Sequence, residues 1–268
     1  MPAARLYKTE AIVLRQRRLG EADRILTLYS PAYGKLDAKA KGVRKTTSRM
    51  AGHLQPLTRC LVQLAQGRAS DVVAGCETLE SFQALREDLD RLSRALYAAE
   101  LVDRFTPERV PGFVTYRLLQ DTLRRLETAA ELDLAVRHFE MALLDQAGFR
   151  PELERCVGCG GALEPVPNHF SPQSGGVLCP SCGQGPAEAR PLSVNGLKVL
   201  RLLQRRPYKE IAGLNLPRDV SDEVERHLRS YIVAVLERDV NAASFIERLR
   251  REARSQAVEV SSEGSLRV

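Results

Sequence analysis

Residues 34–49 read GKLDAKAKGVRKTTSR, and their spacing decides how the first third of the chain is understood. Lys35, Asp37, Lys39 and Lys41 fall on one parity, and Leu36, Ala38 and Ala40 on the other. Successive side chains of a strand point to opposite faces, so the spacing predicts a strand with three lysines outside and a small apolar row beneath. Gly42 ends the strand, and Arg44, Lys45 and Arg49 follow among Thr46, Thr47 and Ser48. A cationic face that runs into a cationic, hydroxyl-rich loop suits a phosphate backbone. A solvated edge strand is the competing reading, because lysines also guard sheet edges against unwanted pairing.

Working outward, short β-rich runs flank this one. Thr9–Arg15 and Asp23–Ser30 precede it, with Arg17-Arg18-Leu19-Gly20-Glu21 as a polar connection and Pro31-Ala32-Tyr33-Gly34 as a turn. Thr58–Gln66 and Asp71–Thr78 follow, joined through Gly67-Arg68-Ala69-Ser70. Five short strands within residues 1–80 predict a small β-barrel. The OB-fold, whose usual task is oligonucleotide binding, leads the candidates, although strand count alone leaves other small barrels open.

From Phe82 the period changes. Leu85, Leu89, Leu92, Leu96 and Ala99 recur at helical spacing, and Phe113–Thr128 and Leu132–Ala147 read as two further helices, the last stopped by Gly148 and Pro151. Ser193 is placed to cap a helix over Val194–Gln204, and another begins near Ser221. Ala243–Arg254 reads as a last short helix, and the polar stretch 255–268 as a disordered tail. The expected class is α+β: an N-terminal OB-fold barrel over 1–80, then an α-helical bundle over 81–254 with a cysteine-bearing insert at 156–182.

Charge is unevenly spread. Residues 1–80 hold fourteen Lys and Arg against seven Asp and Glu, an excess of seven, while the whole chain carries +6. The surplus therefore sits on the strand-rich third, which favours a local polyanion site over a generally basic protein. Loops beside a barrel's binding face usually contact oligonucleotides, so Arg17, Arg18, Arg24, Lys35, Lys39, Lys41, Arg44, Lys45 and Arg49 are the candidate DNA-binding residues. No run approaches the roughly 18 apolar residues of a membrane helix. The opening MPAARLYKTE has no apolar core for a signal peptide. A cytoplasmic protein is expected.

Six cysteines divide into two kinds. Cys60 and Cys76 lie singly in apolar strands and read as core residues. Cys156-x-x-Cys159 and Cys179-x-x-Cys182 are separated by nineteen residues, each pair ending in glycine. Two such turns present four thiolates to one tetrahedral Zn2+ and leave no open coordination position, so a single structural zinc ion is expected. His169, inside the spacer, reads as a surface histidine rather than a ligand. No nucleophile elbow, P-loop or H-E-x-x-H occurs, and the basic strand carries only Asp37, too few acids for a metal-dependent nuclease. No small-molecule substrate or enzymatic activity is expected.

The runs Thr9–Leu14, Gly20–Ser30, Gly34-Lys35-Leu36, Ala40–Lys45 and Leu54-Gln55-Pro56 resemble the RecO family of bacterial DNA repair proteins. A helical region interrupted by a four-cysteine knuckle is also what many of its members have. The resemblance implies a recombination mediator that binds single- and double-stranded DNA and anneals complementary strands. It further implies association with RecR and with the C-terminal tail of single-strand-binding protein (SSB), and help in loading RecA. On that basis Lys35, Lys41, Arg44 and Lys45 become the leading DNA contacts. A zinc-containing protein–protein adaptor without direct DNA annealing activity is the alternative.

Overall fold

The computed structural model of the protein describes residues 6–67 and 70–237. The expected helix Ala243–Arg254, the expected tail 255–268 and Arg68 lie outside the described residues. Five strands come first: β1 Leu6–Leu19, β2 Asp23–Ser30, β3 Gly34–Ala40, β4 Arg59–Ala65 and β5 Asp71–Glu80. They close in the order β1-β2-β3-β5-β4, with β4 returning to β1 and β3 to β5 as the parallel pairing. That is the pairing order of a five-stranded OB-like barrel.

The interior is filled by one parity of each strand. Ala11, Val13, Leu26, Leu28, Leu36, Ala38, Val62 and Leu64 share a buried cluster with Val43 and Leu54 from the β3–β4 connection. On β1 the opposite parity is buried too. Ile12 and Leu14 belong with Tyr29 to the core of the helical region. A strand covered on both faces reads as a continuous apolar run rather than an alternation, which accounts for Ala11-Ile12-Val13-Leu14.

Two boundaries differ from expectation. β1 continues through Arg17 and Arg18, which pair with Ile25 and Arg24 instead of forming a connection. That end of the hairpin is polar on both faces, and the register slips between Val13 and Arg15, so no period-2 signal marks it. The apolar stripe from Leu85 to Ala99 is also two helices, α1 Gln83–Glu87 and α2 Leu89–Phe105. Asp88 separates them and caps α2, its carboxylate accepting from the amides of Asp90 and Arg91 at 2.8 and 3.1 Å.

The bundle continues with α3 Phe113–Thr128, α4 Leu132–Gln146, α5 Val194–Arg205, the short α6 Tyr208–Ile211, and α7, which runs from 218 to the last described residue, 237. Ser193 caps α5 as expected, accepting from Gly196 N–H at 2.9 Å. Between α4 and α5 lie the cysteines and a three-stranded sheet: β6 Asn168–Ser171, β7 Gly176–Leu178 and β8 Arg190–Leu192. The insert's sheet therefore reaches past residue 182.

Ion pairs fasten barrel to bundle. Glu80 at the end of β5 accepts from Arg59, from Gln120 at 2.9 Å and from Arg124 at 2.7 Å. Asp103 on α2 meets Arg15 at 2.7 Å and Lys35 at 3.3 Å. The loop 106–112 lies along the β2–β3 turn, where Arg109 N–H donates to the Lys35 carbonyl at 2.8 Å and Gly112 N–H to that of Pro31 at 3.3 Å. Gly34 admits this contact. Its φ is +64°, and a Cβ there would sit 1.9 Å from the Val110 carbonyl oxygen. No helix among the described residues is long and apolar enough to cross a membrane.

Candidate nucleic-acid interface and metal centre

The expected basic residues separate into two groups by their partners. Strand register puts Arg18 opposite Arg24, Arg24 opposite Ala40 and Ile25 opposite Lys39. The end of β1, the start of β2 and the end of β3 therefore meet at one end of the barrel. The β3–β4 connection is tied to the same place. Arg44 N–H donates to the Ala22 carbonyl at 3.0 Å, and its guanidinium to the Gly20 carbonyl at 3.3 Å. Gly42, at φ +62°, donates its N–H to the Asp23 carboxylate at 2.8 Å. Val43 and Leu54 anchor the two ends of this connection in the barrel core.

At this end some cations are already neutralised. Lys39 pairs with Asp23 at 3.1 Å and Arg17 with Asp37 at 2.9 Å, while Arg24 donates to the Gln16 side chain. The Gly42 amide, with Lys39, holds the Asp23 carboxyl below its ordinary range, so Asp23 stays ionised as a clamp. Arg18, Lys41, Lys45 and Arg49 are exposed, and among the described residues their side chains make no ion pair or hydrogen bond. Lys35 is elsewhere. It lies opposite Tyr29 at the far end of β3, with only 15% of its side chain exposed and its ammonium on Asp103 and the Asp103 carbonyl. Lys35 and Lys39 share the outer face of β3, where internal carboxylates occupy both, while Lys41 lies just past the end of the strand. The sequence carried no signal for Asp103, which lies 68 residues from Lys35.

The four cysteines converge. The sulfurs of Cys156, Cys159, Cys179 and Cys182 all lie within 4.8 Å of one another, and those of Cys159 and Cys179 are 4.0 Å apart. Zn–S bonds of about 2.3 Å in a tetrahedron place sulfurs roughly 3.8 Å apart, so the set fits one metal ion. The two C-x-x-C turns are built alike. Gly160 N–H donates to the Cys156 carbonyl at 2.8 Å, and Gly183 N–H to that of Cys179 at 2.9 Å. Burial pushes the Cys156 thiol up, but the amides of Cys179, Cys159 and Gly158 donate toward its sulfur and bring it down to about 6. The other three sulfurs push Cys182 up to about 12. Four thiols this close cannot all ionise without a cation between them.

His169 is not among the four, and it is not a surface residue. It is half-buried in β6, and its ring fills the space where a Cβ on Gly183 would lie, 2.3 Å from Nδ1. The metal centre is joined to the bundle through Phe170, which packs edge-on against Tyr231 with centroids 5.7 Å apart. Phe170, Val177 and Leu192 are part of the helical core. Cys60 is buried and Cys76 half-buried in the barrel, apart from this cluster.

Between them, two family comparisons cover the described residues except 83–85. The C-terminal family of recombination protein O matches residues 86–243, and the N-terminal family of recombination protein O matches residues 3–82. The chain belongs to the RecO family. It is similar to the DNA repair protein RecO of Dehalococcoides mccartyi, with 39% identity over 244 residues, 91% of this chain and 96% of the relative. To that of a Roseiflexus species it is 40% identical over 253 residues, 94% of this chain and 89% of the relative. The RecO of Pelotomaculum thermopropionicum is 41% identical over 244 residues, 91% and 94% of the two chains. Membership of the RecO family supports a role in DNA repair and recombination. The N-terminal match ends just before α1, and the C-terminal match begins within it.

Proposed function

We propose that this protein is a recombination mediator that binds single- and double-stranded DNA with the basic end of its barrel and anneals complementary strands. The observation that carries this reading is the set of exposed cations that make no hydrogen bond or ion pair among the described residues, Arg18, Lys41, Lys45 and Arg49, of which Arg18, Lys41 and Lys45 lie with Arg24 and Arg44 at the β1–β2 end of the barrel. A polyanion brought there displaces no internal carboxylate from these four, and each phosphate neutralised releases condensed counterions. Lysine and arginine on an open surface, without base-reading side chains, suit a binder that must hold either of two complementary strands. Arg17 and Lys39 contribute in part, since Asp37 and Asp23 already engage them. Lys35 acts in the barrel–bundle contact.

The proposal extends to partners through the family: RecR, the C-terminal tail of SSB, and RecA, which it helps to load onto SSB-coated DNA in the cytoplasm. The four-cysteine centre holds one Zn2+ as a structural ion, since four thiolates complete its coordination. The test is binding of a fluorescent duplex by the wild type and by a variant with Lys41, Arg44, Lys45 and Arg49 changed to Ala. Loss of affinity with intact zinc content and melting temperature is expected. Unchanged affinity overturns the assignment.

A further inference from the structure

Two aromatic side chains are exposed among the described residues, Tyr33 at 38% and Phe113 at 64%. The chain holds seven Tyr, seven Phe and no Trp, so its other described aromatics are drawn inward and these two stand out. Both lie on one edge of the molecule. Tyr33 is in the β2–β3 turn, and the loop leading into Phe113 is fastened to that turn by the Gly112–Pro31 hydrogen bond at 3.3 Å. The ring of Tyr33 rests against Tyr7 with centroids 4.7 Å apart, which fixes its position. Val110 and Val114, 51% and 63% exposed, extend the apolar surface. Arg117, one helical turn beyond Phe113 on α3, is exposed as well.

We infer that this edge is a second nucleic-acid site, a stacking platform for unpaired bases at the opposite end of the barrel from the phosphate-binding cations. The inference rests on the DNA-binding reading above and adds the strand type that this edge takes. β3 runs from Gly34, beside Tyr33, to Ala40, beside the cationic end, and seven residues of strand span about 23 Å. The β2–β3 hairpin joins the two ends. The edge itself carries little net charge. Arg109 is paired with Asp71 at 3.0 Å, and exposed Glu108 offsets Arg117. Phosphate attraction is therefore weak there, and an aromatic face is what it offers. Every base has a π-face to stack on it without regard to sequence, but a duplex keeps those faces covered. A single strand can use both ends of the barrel, whereas a duplex is held at the cationic end alone.

The absence of tryptophan supplies a reporter. Phe113→Trp places one Trp on the platform of the full chain, and a single-stranded oligonucleotide should quench its emission while a duplex of equal length does not. Phe113→Leu, which keeps apolar area but loses the ring, should weaken single-strand binding by about tenfold and leave duplex binding unchanged. Tyr33→Ala should do the same. Equal quenching by duplex and single strand overturns the inference, as does undiminished single-strand affinity in Phe113→Leu and Tyr33→Ala. If those variants instead lose only a protein partner, the edge is a protein-docking surface and the inference also fails. In these cases duplex binding by the wild type still supports the basic-end reading. A wild type that binds neither form of DNA overturns both.

Discussion

Changing Lys41, Arg44, Lys45 and Arg49 to Ala removes four cations from the β3–β4 connection, three of which make no hydrogen bond or ion pair among the described residues. For duplex DNA, each phosphate neutralised contributes about 0.9 to the slope of log affinity against log salt. Four such contacts contribute up to about 3.6. Between 50 and 200 mM salt, the wild type should therefore lose roughly 150-fold more affinity than the variant. Fluorescence anisotropy of a labelled duplex across that range measures both slopes. Lys35→Met is the matched control, since its ammonium is held by Asp103 at 3.3 Å in the barrel–bundle contact. Its slope should equal that of the wild type, and its melting temperature should fall slightly. A wild-type slope in the fourfold variant, or an equally large loss of slope in Lys35→Met, would show that these four cations do not carry the phosphate contacts.

Three further outcomes test the framework that holds this surface. Purified protein should carry one zinc per chain by mass spectrometry. Cys179→Ser should lose the ion and melt about 5 °C lower or more, with duplex binding by the barrel retained. Glu80→Ala should cost about 2 kcal/mol in denaturant unfolding, because Arg59, Gln120 and Arg124 lose a shared acceptor. Burial alone raises the Glu80 carboxyl, but those hydrogen bonds more than reverse it and lower it. Its contribution is therefore present above the ordinary carboxylate range and lost on acidification. Glu140, fully buried on α4, behaves oppositely. Burial raises its carboxyl to about 7, against the pull of Arg137 and Tyr97, so the folded state holds the proton longer than the unfolded chain. Stability should fall as the pH rises from the ordinary carboxylate value to about 7, and chemical denaturation of Glu140→Gln should show that dependence reduced.

Residues that signal through their own neighbours were legible in the sequence. β2 Asp23–Ser30 follows from a β-rich run between turn residues, and α3 Phe113–Thr128 from helical period. The four-thiol cluster follows from cysteine spacing alone. What escaped depends on contacts far along the chain. The lysine row of β3 was visible, but Asp103, Asp37 and Asp23 decide which of the nearby cations remain unpaired. The outer end of β1 shows no alternation because neither face there is covered, and only pairing with β2 reveals Arg17 and Arg18 as strand residues. Asp88 did carry a local signal, a helix-capping side chain before an apolar stripe, but the unbroken run of leucines obscured it. The small sheet β6–β7–β8 has strands of three or four residues, too short for a period to form.

Annealing of complementary oligonucleotides, followed by loss of donor emission as labelled strands pair, decides whether the basic end of the barrel brings strands together. The wild type should accelerate pairing, while the variant lacking Lys41, Arg44, Lys45 and Arg49, with zinc content and melting temperature intact, should pair strands no faster than buffer. Equal acceleration by the two proteins would place strand pairing away from the basic end of the barrel. A wild type that neither binds nor anneals DNA would contradict the mediator reading itself.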